Sequence, residues 1–582
     1  MSLLTRLSVL TRLSLLTRLR SRTTRARVAA DRPVPDEQSG DPAPDAGGWR
    51  PVAGRVITVL AGLLVLVALV APNQLDQVTL GAFVRIPAEA IVGVALVLVL
   101  PPKVRWVVAA VGGAVLGLLT ILKVLDMGFN EVLERPFDPV LDWTLLADGV
   151  DYLVRSLGGV RATVAVAGAV LLAVAVPVVM TLAVLRLTRV VAGHRRPAIR
   201  TGAVLGAVWV VCALLGVQVV PGVPVASATT ATLAYERAGT VGAGLRDQQA
   251  FAGQSAVDVF RDTPADQLLT GLRGKDVIVA FVESYGRVAV RDPQFAPAVS
   301  ALLADGDQRL RAAGYASRSA YVTSPTFGGG SWLAHSTLQS GLWINNQQRY
   351  NNLLASDRLT LNRAFDKAGW RTVDVVPAVN RAWPEGGFYG FNQIYTVQNL
   401  GYRGPTFNFS SMPDQYTMSF FQRTERAPGH RPVMAEIDLL SSHSPWAPLP
   451  HLRTWNDIGD GSVFRGLPST DDQPGVDPAR IRTAYLHSIE YSLSTVISYV
   501  QTYGDDNLVL VFLGDHQPAS VVSGDGASHD APITIVARDH TVLDRISGWG
   551  WQDGLEPAAQ APVWRMDTFR DRFLTAFGPP TH

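Results

Sequence analysis

The stretch Leu508-Val-Leu-Val-Phe-Leu-Gly-Asp-His-Gln-Pro518 decides how the rest of the chain is read. Its apolar run, Leu508 to Leu513, has the length of a strand buried on both faces of a parallel sheet. Gly514 follows, then an adjacent carboxylate and imidazole, Asp515 and His516, and Pro518 stops the run. In open α/β sheets chemistry collects just beyond the carboxyl ends of the strands. A hard oxygen and an imidazole nitrogen placed there are common ligands for zinc or manganese. Taken alone, Asp515 as a helix cap and His516 as a loop residue is the more ordinary reading. A second strand end shifts the balance: Val277–Val282 runs into Glu283, followed by Ser284-Tyr285-Gly286. Two buried strands that each deliver a carboxylate at one edge suggest a metal site built across neighbours.

Between these strand ends lies Ser324-Pro-Thr-Phe-Gly-Gly-Gly-Ser-Trp-Leu-Ala-His-Ser-Thr-Leu-Gln-Ser-Gly341. The glycines permit tight backbone and close approach of a ligand. Ser331 opens a helical pattern, so its hydroxyl and the next N–H groups face the positive end of a helix dipole, where a nucleophile attacking an anionic phosphorus is favoured. A bound cation would activate that hydroxyl; the plainer alternative is Ser331 as an N-cap. A fourth piece, Leu440-Ser-Ser-His-Ser-Pro-Trp446, follows a predicted strand. Its His443 either donates to a phosphoryl oxygen or leaving group, or simply packs on Trp446. His335 reads as a helix-surface residue, as do His451 and His487. Tyr485, Ser488 and Tyr491, at helical spacing, read as packing, and His529 lies near the predicted site edge.

Outward from these motifs the pattern alternates. Runs at 276–283, 371–377, 432–440, 508–513 and 532–537 read as strands, with helical stretches at 359–368 and 478–499 between them. This predicts an extracytoplasmic α/β domain over 276–582 with a mostly parallel sheet flanked by helices. The 582 residues are 48% hydrophobic and 17% charged, a balance that long apolar runs explain. Five such runs, about 56–71, 86–100, 104–122, 162–187 and 202–220, predict a five-helix transmembrane domain over 51–221. A connector over 222–275 with helical patches follows. Arg-rich segments precede run one, separate runs two and three, and separate runs four and five, whereas the alternate loops are acidic or poor in Lys and Arg. The positive-inside rule puts the N-terminus in the cytoplasm and everything after Val220 outside. Residues 1–50 read as a basic, largely disordered cytoplasmic tail, without a removable signal peptide. A net charge of +2 does not suggest a nucleic-acid partner, and the single Cys212 excludes an intramolecular disulfide, a cysteine-rich zinc site or an iron–sulfur cluster.

The order Glu283, glycine-rich loop with hydroxyl, His443 and Gly514-Asp515-His516, after apolar runs, resembles the lipoteichoic acid synthase-like (phosphoglycerol transferase) branch of the alkaline phosphatase/sulfatase superfamily. The segments Arg135-Pro-Phe-Asp-Pro139 and Asp142-Trp143 resemble that branch too. The resemblance implies that Glu283, Ser331, Asp515 and His516 ligate one divalent cation, usually manganese, with magnesium or zinc as substitutes. It implies Ser331 as the residue carrying a covalent phospho-intermediate and His443 as a substrate-binding group. It also implies a bacterial multi-pass membrane enzyme moving a phospho-alcohol group from a membrane lipid donor to a cell-envelope glycan or glycolipid acceptor. This chain departs from the branch in having serine for threonine at 331, followed by Trp-Leu-Ala-His335 in place of an acidic motif. Near 376–385 it keeps Trp383 as a substrate-binding candidate. It lacks the pocket histidine and has Glu385 for arginine, leaving Arg381 as the substitute. A phosphodiesterase or ester hydrolase using water, and an inactive envelope assembly factor, are the alternatives. The modified residue of sulfatases has no counterpart here.

Overall fold

The computed structural model describes residues 49–579, apart from 76, 134, 140, 221–222, 381–382, 407–411, 447–448 and 466–476. The tail expected over 1–50 lies outside the described residues but for its last two, as does Arg381.

The N-terminal apolar runs form α1 (Trp49–Val70), α2 (Ala88–Val99), α3 (Pro102–Leu133), α5 (Gly159–Gly193) and α6 (Arg195–Leu215), with α4 (Trp143–Leu157) between α3 and α5. Four of them, α1, α3, α5 and α6, are long and apolar enough to cross a membrane. The fifth expected span is the exception. Helix α2 has 12 residues, about 18 Å at 1.5 Å per residue against roughly 30 Å of hydrocarbon. Its run is shortened at both ends: Ile86 and Pro87 pair as a strand with Ala226 and Ser227, and Pro101 and Pro102 stop it. Helix α3 instead runs past the expected 122 to Leu133. A Cβ on Gly113 would meet the Thr181 backbone at 2.6 Å, and one on Gly117 the Pro177 backbone at 2.5 Å. These two glycines, one turn apart, are what allow α3 and α5 to pack backbone to backbone.

The connector is a single 28-residue helix, α7 (Thr229–Ala256). Near its start Arg237 pairs with Asp126 of α3 at 2.6 Å, and Thr230 accepts from Lys123 at 3.0 Å. Near its end Asp247 pairs with Arg349, and Phe251 is buried with Leu333 and Tyr350. One helix therefore ties the C-terminal part of α3 to the α/β domain.

That domain holds a nine-stranded sheet. Its strands are β1 (Asp276–Val282), β2 (Ala316–Thr323), β3 (Arg371–Val376), β4 (Gln393–Thr396), β5 (Val433–Leu439), β6 (Leu508–Gly514), β7 (Asp530–Ala537), β8 (Gln552–Asp553) and β9 (Val563–Arg565). The order is β8-β2-β7-β6-β1-β5-β3-β4, with β9 also beside β2. From β6 to β4 the pairs are parallel. Strand β7 is antiparallel to both β6 and β2. The sheet is thus mixed: the pairs from β6 to β4 and the β9–β2 pair are parallel, and the pairs that β7 makes and the β8–β2 pair are antiparallel, so the expectation of a mostly parallel sheet is not established. Strands β1 and β6 are buried on both faces: Ile278, Ala280, Leu508 and Leu510 join one core, and Val277, Val279, Val509 and Val511 the other. The helices α8 (Ala296–Ala312), α9 (Ser331–Ser340), α10 (Asp414–Thr424) and α11 (Pro478–Tyr503) are among those that cover these faces. Tyr485, Ser488 and Tyr491 on α11 are buried, as packing residues are.

Candidate active site

Strands β1 and β6 are neighbours in parallel register, with Val282 opposite Gly514. The residues just beyond them, Glu283 and Asp515, therefore emerge side by side. Gly514 is required where it stands, because a Cβ there would lie 1.9 Å from the Tyr285 carbonyl oxygen. Ser284 adopts a left-handed φ of 56°, and its amide donates to Asp515 Oδ1 at 2.8 Å. The His516 amide donates to the same oxygen at 2.8 Å.

Helix α9 brings the hydroxyl. Gly330, with φ of 77°, is its N-cap, so Ser331 is the first helical residue and not the cap expected under the plainer reading. Ser331 Oγ donates to Glu283 Oε2 at 3.0 Å and lies 3.2 Å from His516 Nε2. His516 Nε2 is 3.5 Å from Glu283 Oε1 and 3.3 Å from Asp515 Oδ2. On its other side, Nδ1 donates to the Gln517 carbonyl at 2.7 Å, which in the neutral ring leaves the Nε2 lone pair facing Ser331. Asp515 Oδ2 accepts no hydrogen bond among the described residues, although Asp515 is 1% exposed. Burial, and then Glu283, push the Asp515 carboxyl up to about 6.

An oxygen without a donor, a second carboxylate, an imidazole lone pair and a hydroxyl thus converge within bonding reach of one point. Ligand atoms of Glu283, Asp515 and His516 lie within 4.8 Å of one another, a group that could hold a metal ion. The four residues expected to act together are brought together.

A cavity of about 260 Å³ opens from these groups. It is lined by Ser331, Glu283 and Asp515, by His443, and by Trp383, whose ring stacks on Tyr389 at 6.0 Å. His443 sits in the turn after β5, held by its amide to the Leu440 carbonyl at 3.0 Å. That turn is anchored by Ser442 Oγ donating to the Glu283 carbonyl at 2.6 Å.

The cavity also holds residues that sequence reasoning missed or misread. His335, expected on the helix surface, is one turn along α9 from Ser331 and faces inward, with its ring stacked on Phe281 at 3.7 Å. Its Nδ1 is 3.1 Å from Glu436 Oε1 and 3.5 Å from Asp438 Oδ1. Burial opposes charge on this imidazole, yet Asp438 and Glu436 outweigh it and push the group up to about 9. Asp374 lines the same cavity, and burial followed by Glu436 holds its carboxyl well above the usual range. The available signal was carboxylates inside otherwise apolar strands, Thr372-Val-Asp-Val375 and Ala435-Glu-Ile-Asp-Leu439. His451, His487 and His529 do not line this cavity.

No protein-family model and no curated protein matches the chain. Solved structures do. The integral membrane lipooligosaccharide phosphoethanolamine transferase EptA from Neisseria meningitidis is 13% identical, with 90% of this chain and 95% of that one covered, at a TM-score of 0.43. The lipoteichoic acid synthase LtaP from Listeria monocytogenes is 14% identical over 54% of this chain and 74% of that one, at a TM-score of 0.37. The phosphoglycerol transferase GacH from Streptococcus pyogenes, solved with sn-glycerol-1-phosphate, is 11% identical over 58% and 91%, at a TM-score of 0.32.

Proposed function

We propose that this chain is a membrane phosphotransferase that moves a phospho-alcohol group from a lipid donor to a cell-envelope acceptor through a covalent adduct on Ser331. The carrying observation is the convergence of Ser331 Oγ, Glu283, Asp515 and His516 at the mouth of one cavity. A divalent cation held by Glu283, Ser331, Asp515 and His516 would lower the pKa of the hydroxyl and offset charge on the phosphoryl oxygens.

Ser331 Oγ forms the new P–O bond while the P–O bond to the lipid breaks, and the lipid alcohol leaves with the serine proton. An acceptor hydroxyl then forms its own P–O bond as the bond to Ser331 Oγ breaks, and its proton restores the serine hydroxyl. Glu283 Oε2, which accepts from Ser331 Oγ at 3.0 Å, orients the hydroxyl. The first amides of α9, which as helix-start groups have no acceptor within the helix, suit a phosphoryl oxygen. His443 is assigned to a phosphoryl oxygen or the leaving oxygen, and Trp383 with Tyr389 to the wall against the alcohol.

We further infer five crossings with the α/β domain outside. Helix α2 is short, but the residues before it pair with Ala226 after α6, and the Leu98 carbonyl near its end accepts from Arg195 at the start of α6 at 2.7 Å. These ties support α2 running antiparallel to α6 over a comparable depth. At the other end of α3, Leu133 Cδ2 would lie 3.3 Å from a Cβ on Gly329, in the loop before Ser331. That contact supports the acidic segment and the site lying on one side.

Lipid donor supplied without acceptor should leave a phospho-alcohol adduct on the peptide spanning Ser324–Gly341, read by mass spectrometry, with none in Ser331→Ala. An adduct on Thr326 would move the nucleophile, and full turnover by Ser331→Ala would end the covalent account. Rapid loss of the adduct in water alone would turn the reading to a hydrolase.

A further inference from the structure

We propose that His335, Glu436, Asp438 and Asp374 form a second divalent-cation site, for an ion such as Mn2+ or Zn2+, in the floor of the cavity behind Ser331. This site goes beyond the reaction assigned to Ser331 and does not depend on it.

The first observation is convergence. Two ligands about 2.1 Å from one tetrahedral ion lie roughly 3.4 Å apart. His335 Nδ1 is 3.1 Å from Glu436 Oε1 and 3.5 Å from Asp438 Oδ1, and ligand atoms of all three residues lie within 4.8 Å of one another.

The second is an orphan. Asp374 is 1% exposed, lines the same cavity, and its Oδ1 has no hydrogen-bond partner among the described residues. Asp374 and Glu436 are register partners on the neighbouring parallel strands β3 and β5. Glu436 and Asp438, two apart on β5, share one face. Like charges side by side on one sheet face are destabilising. Here three carboxyl groups meet a single imidazole.

The third is orientation. Gln339 Nε2 donates to Glu436 Oε2, and Gln339 Oε1 is itself held by the Asn362 amide at 2.9 Å. This outer support leaves Glu436 Oε1 facing His335, whose ring plane is fixed on Phe281. Ligands locked by such outer partners are typical of built metal sites. One nitrogen and several carboxylate oxygens suit a borderline ion. The competing occupant is a substrate ammonium group, for which Tyr350, Tyr389 and Trp383 would supply ring faces.

The test is metal counting on the full-length protein in detergent after dialysis against MnCl2 and, separately, ZnCl2. Wild type should hold two equivalents per chain. Glu436→Gln and Asp438→Asn should each hold one, and Asp515→Asn should hold one and lose it when combined with Glu436→Gln. The wild-type count needs no variant to fold. A wild type holding one equivalent that Asp515→Asn abolishes would overturn the second site while leaving the first intact. Saturable binding of O-phosphoethanolamine that Glu436→Gln abolishes, alongside a single metal equivalent, would give the pocket to an ammonium group and likewise overturn it. No count depends on turnover, so failure here is distinguishable from failure of the Ser331 adduct.

Discussion

The Ser284 amide donates to Asp515 Oδ1 at 2.8 Å, tying the ends of two neighbouring strands through the side chain of one of them. Ser284 is held at a φ of 56° to make this contact, a conformation that costs on the order of 1 kcal/mol or more for a residue with a side chain. One oxygen of Asp515 thus organises backbone, and the other, the proposed ligand, accepts no hydrogen bond among the described residues. The two roles can be separated. Asp515→Asn keeps an acceptor for the amides of Ser284 and His516 but puts an NH2 group, or no charge, at the ligand position. It should fold nearly as wild type and bind Mn2+ beside Ser331 at least ~100-fold more weakly, whereas Asp515→Ala should lose stability as well. Thermal unfolding with and without MnCl2 reads both effects: the asparagine variant should have a near-normal Tm that rises less with metal than the wild type's, and the rise should vanish when Glu436→Gln is added.

Gly514 admits no side chain, since a Cβ would sit 1.9 Å from the Tyr285 carbonyl oxygen. Gly514→Ala must push apart two strand ends and should cost about 3 kcal/mol or more. The exposed Gly387 has no atom within 4 Å of its would-be Cβ, so Gly387→Ala should stay within about 0.5 kcal/mol of wild type. Denaturant titration of the pair makes the comparison; equal stability would refute the steric account.

Asp414 governs a pH dependence away from the proposed metal ligands. Its carboxylate accepts from the Ser441 amide at 2.9 Å and from Ser492 Oγ at 2.5 Å, and so steadies the turn that carries His443. Burial pushes its carboxyl up from 3.8 to about 6, against the lowering effect of these bonds. Between those values the folded chain holds a proton that the unfolded chain has lost, so this group makes stability fall as pH rises from about 4 to about 6. Asp414→Asn should be less stable overall and lack that component of the slope. The difference in unfolding free energy between wild type and variant, measured across pH 4–7, should shrink as pH rises through this window; a difference that grows would reverse the assignment.

The chain has one native cysteine, Cys212, which makes labelling simple. In a Cys212→Ser background, Asp525→Cys on the α/β domain should react with a membrane-impermeant maleimide in intact cells. His194→Cys, between α5 and α6, should react only after permeabilisation. The opposite pattern would invert the proposed topology.

The central strands and three of the proposed ligands were legible because their signal is local. An apolar run of six or seven residues ending in Glu283 or Asp515 requires no knowledge of partners, and strands buried on both faces carry that signal most strongly. Strand β2 was not legible. Ala-Ser-Arg-Ser-Ala-Tyr-Val-Thr323 alternates polar and apolar residues, and Ser317 and Ser319 are buried by β7 and β8, which come from more than two hundred residues downstream.

Composition and run length by themselves determined a chain with membrane-spanning helices followed by an α/β layer. They also marked a hydroxyl, two carboxylates and an imidazole at strand and helix ends. Tertiary structure alone decided the rest. It decided that β7 enters antiparallel and makes the sheet mixed, because pairing direction depends on where a connection returns and not on the strand's own residues. It decided that Ile86 and Pro87, just before α2, pair with Ala226 and Ser227 and so shorten the helix. And it decided that His335 turns inward, because the carboxylates that draw it there sit on a strand a hundred residues away, and attraction at about 3 Å leaves no trace in sequence spacing.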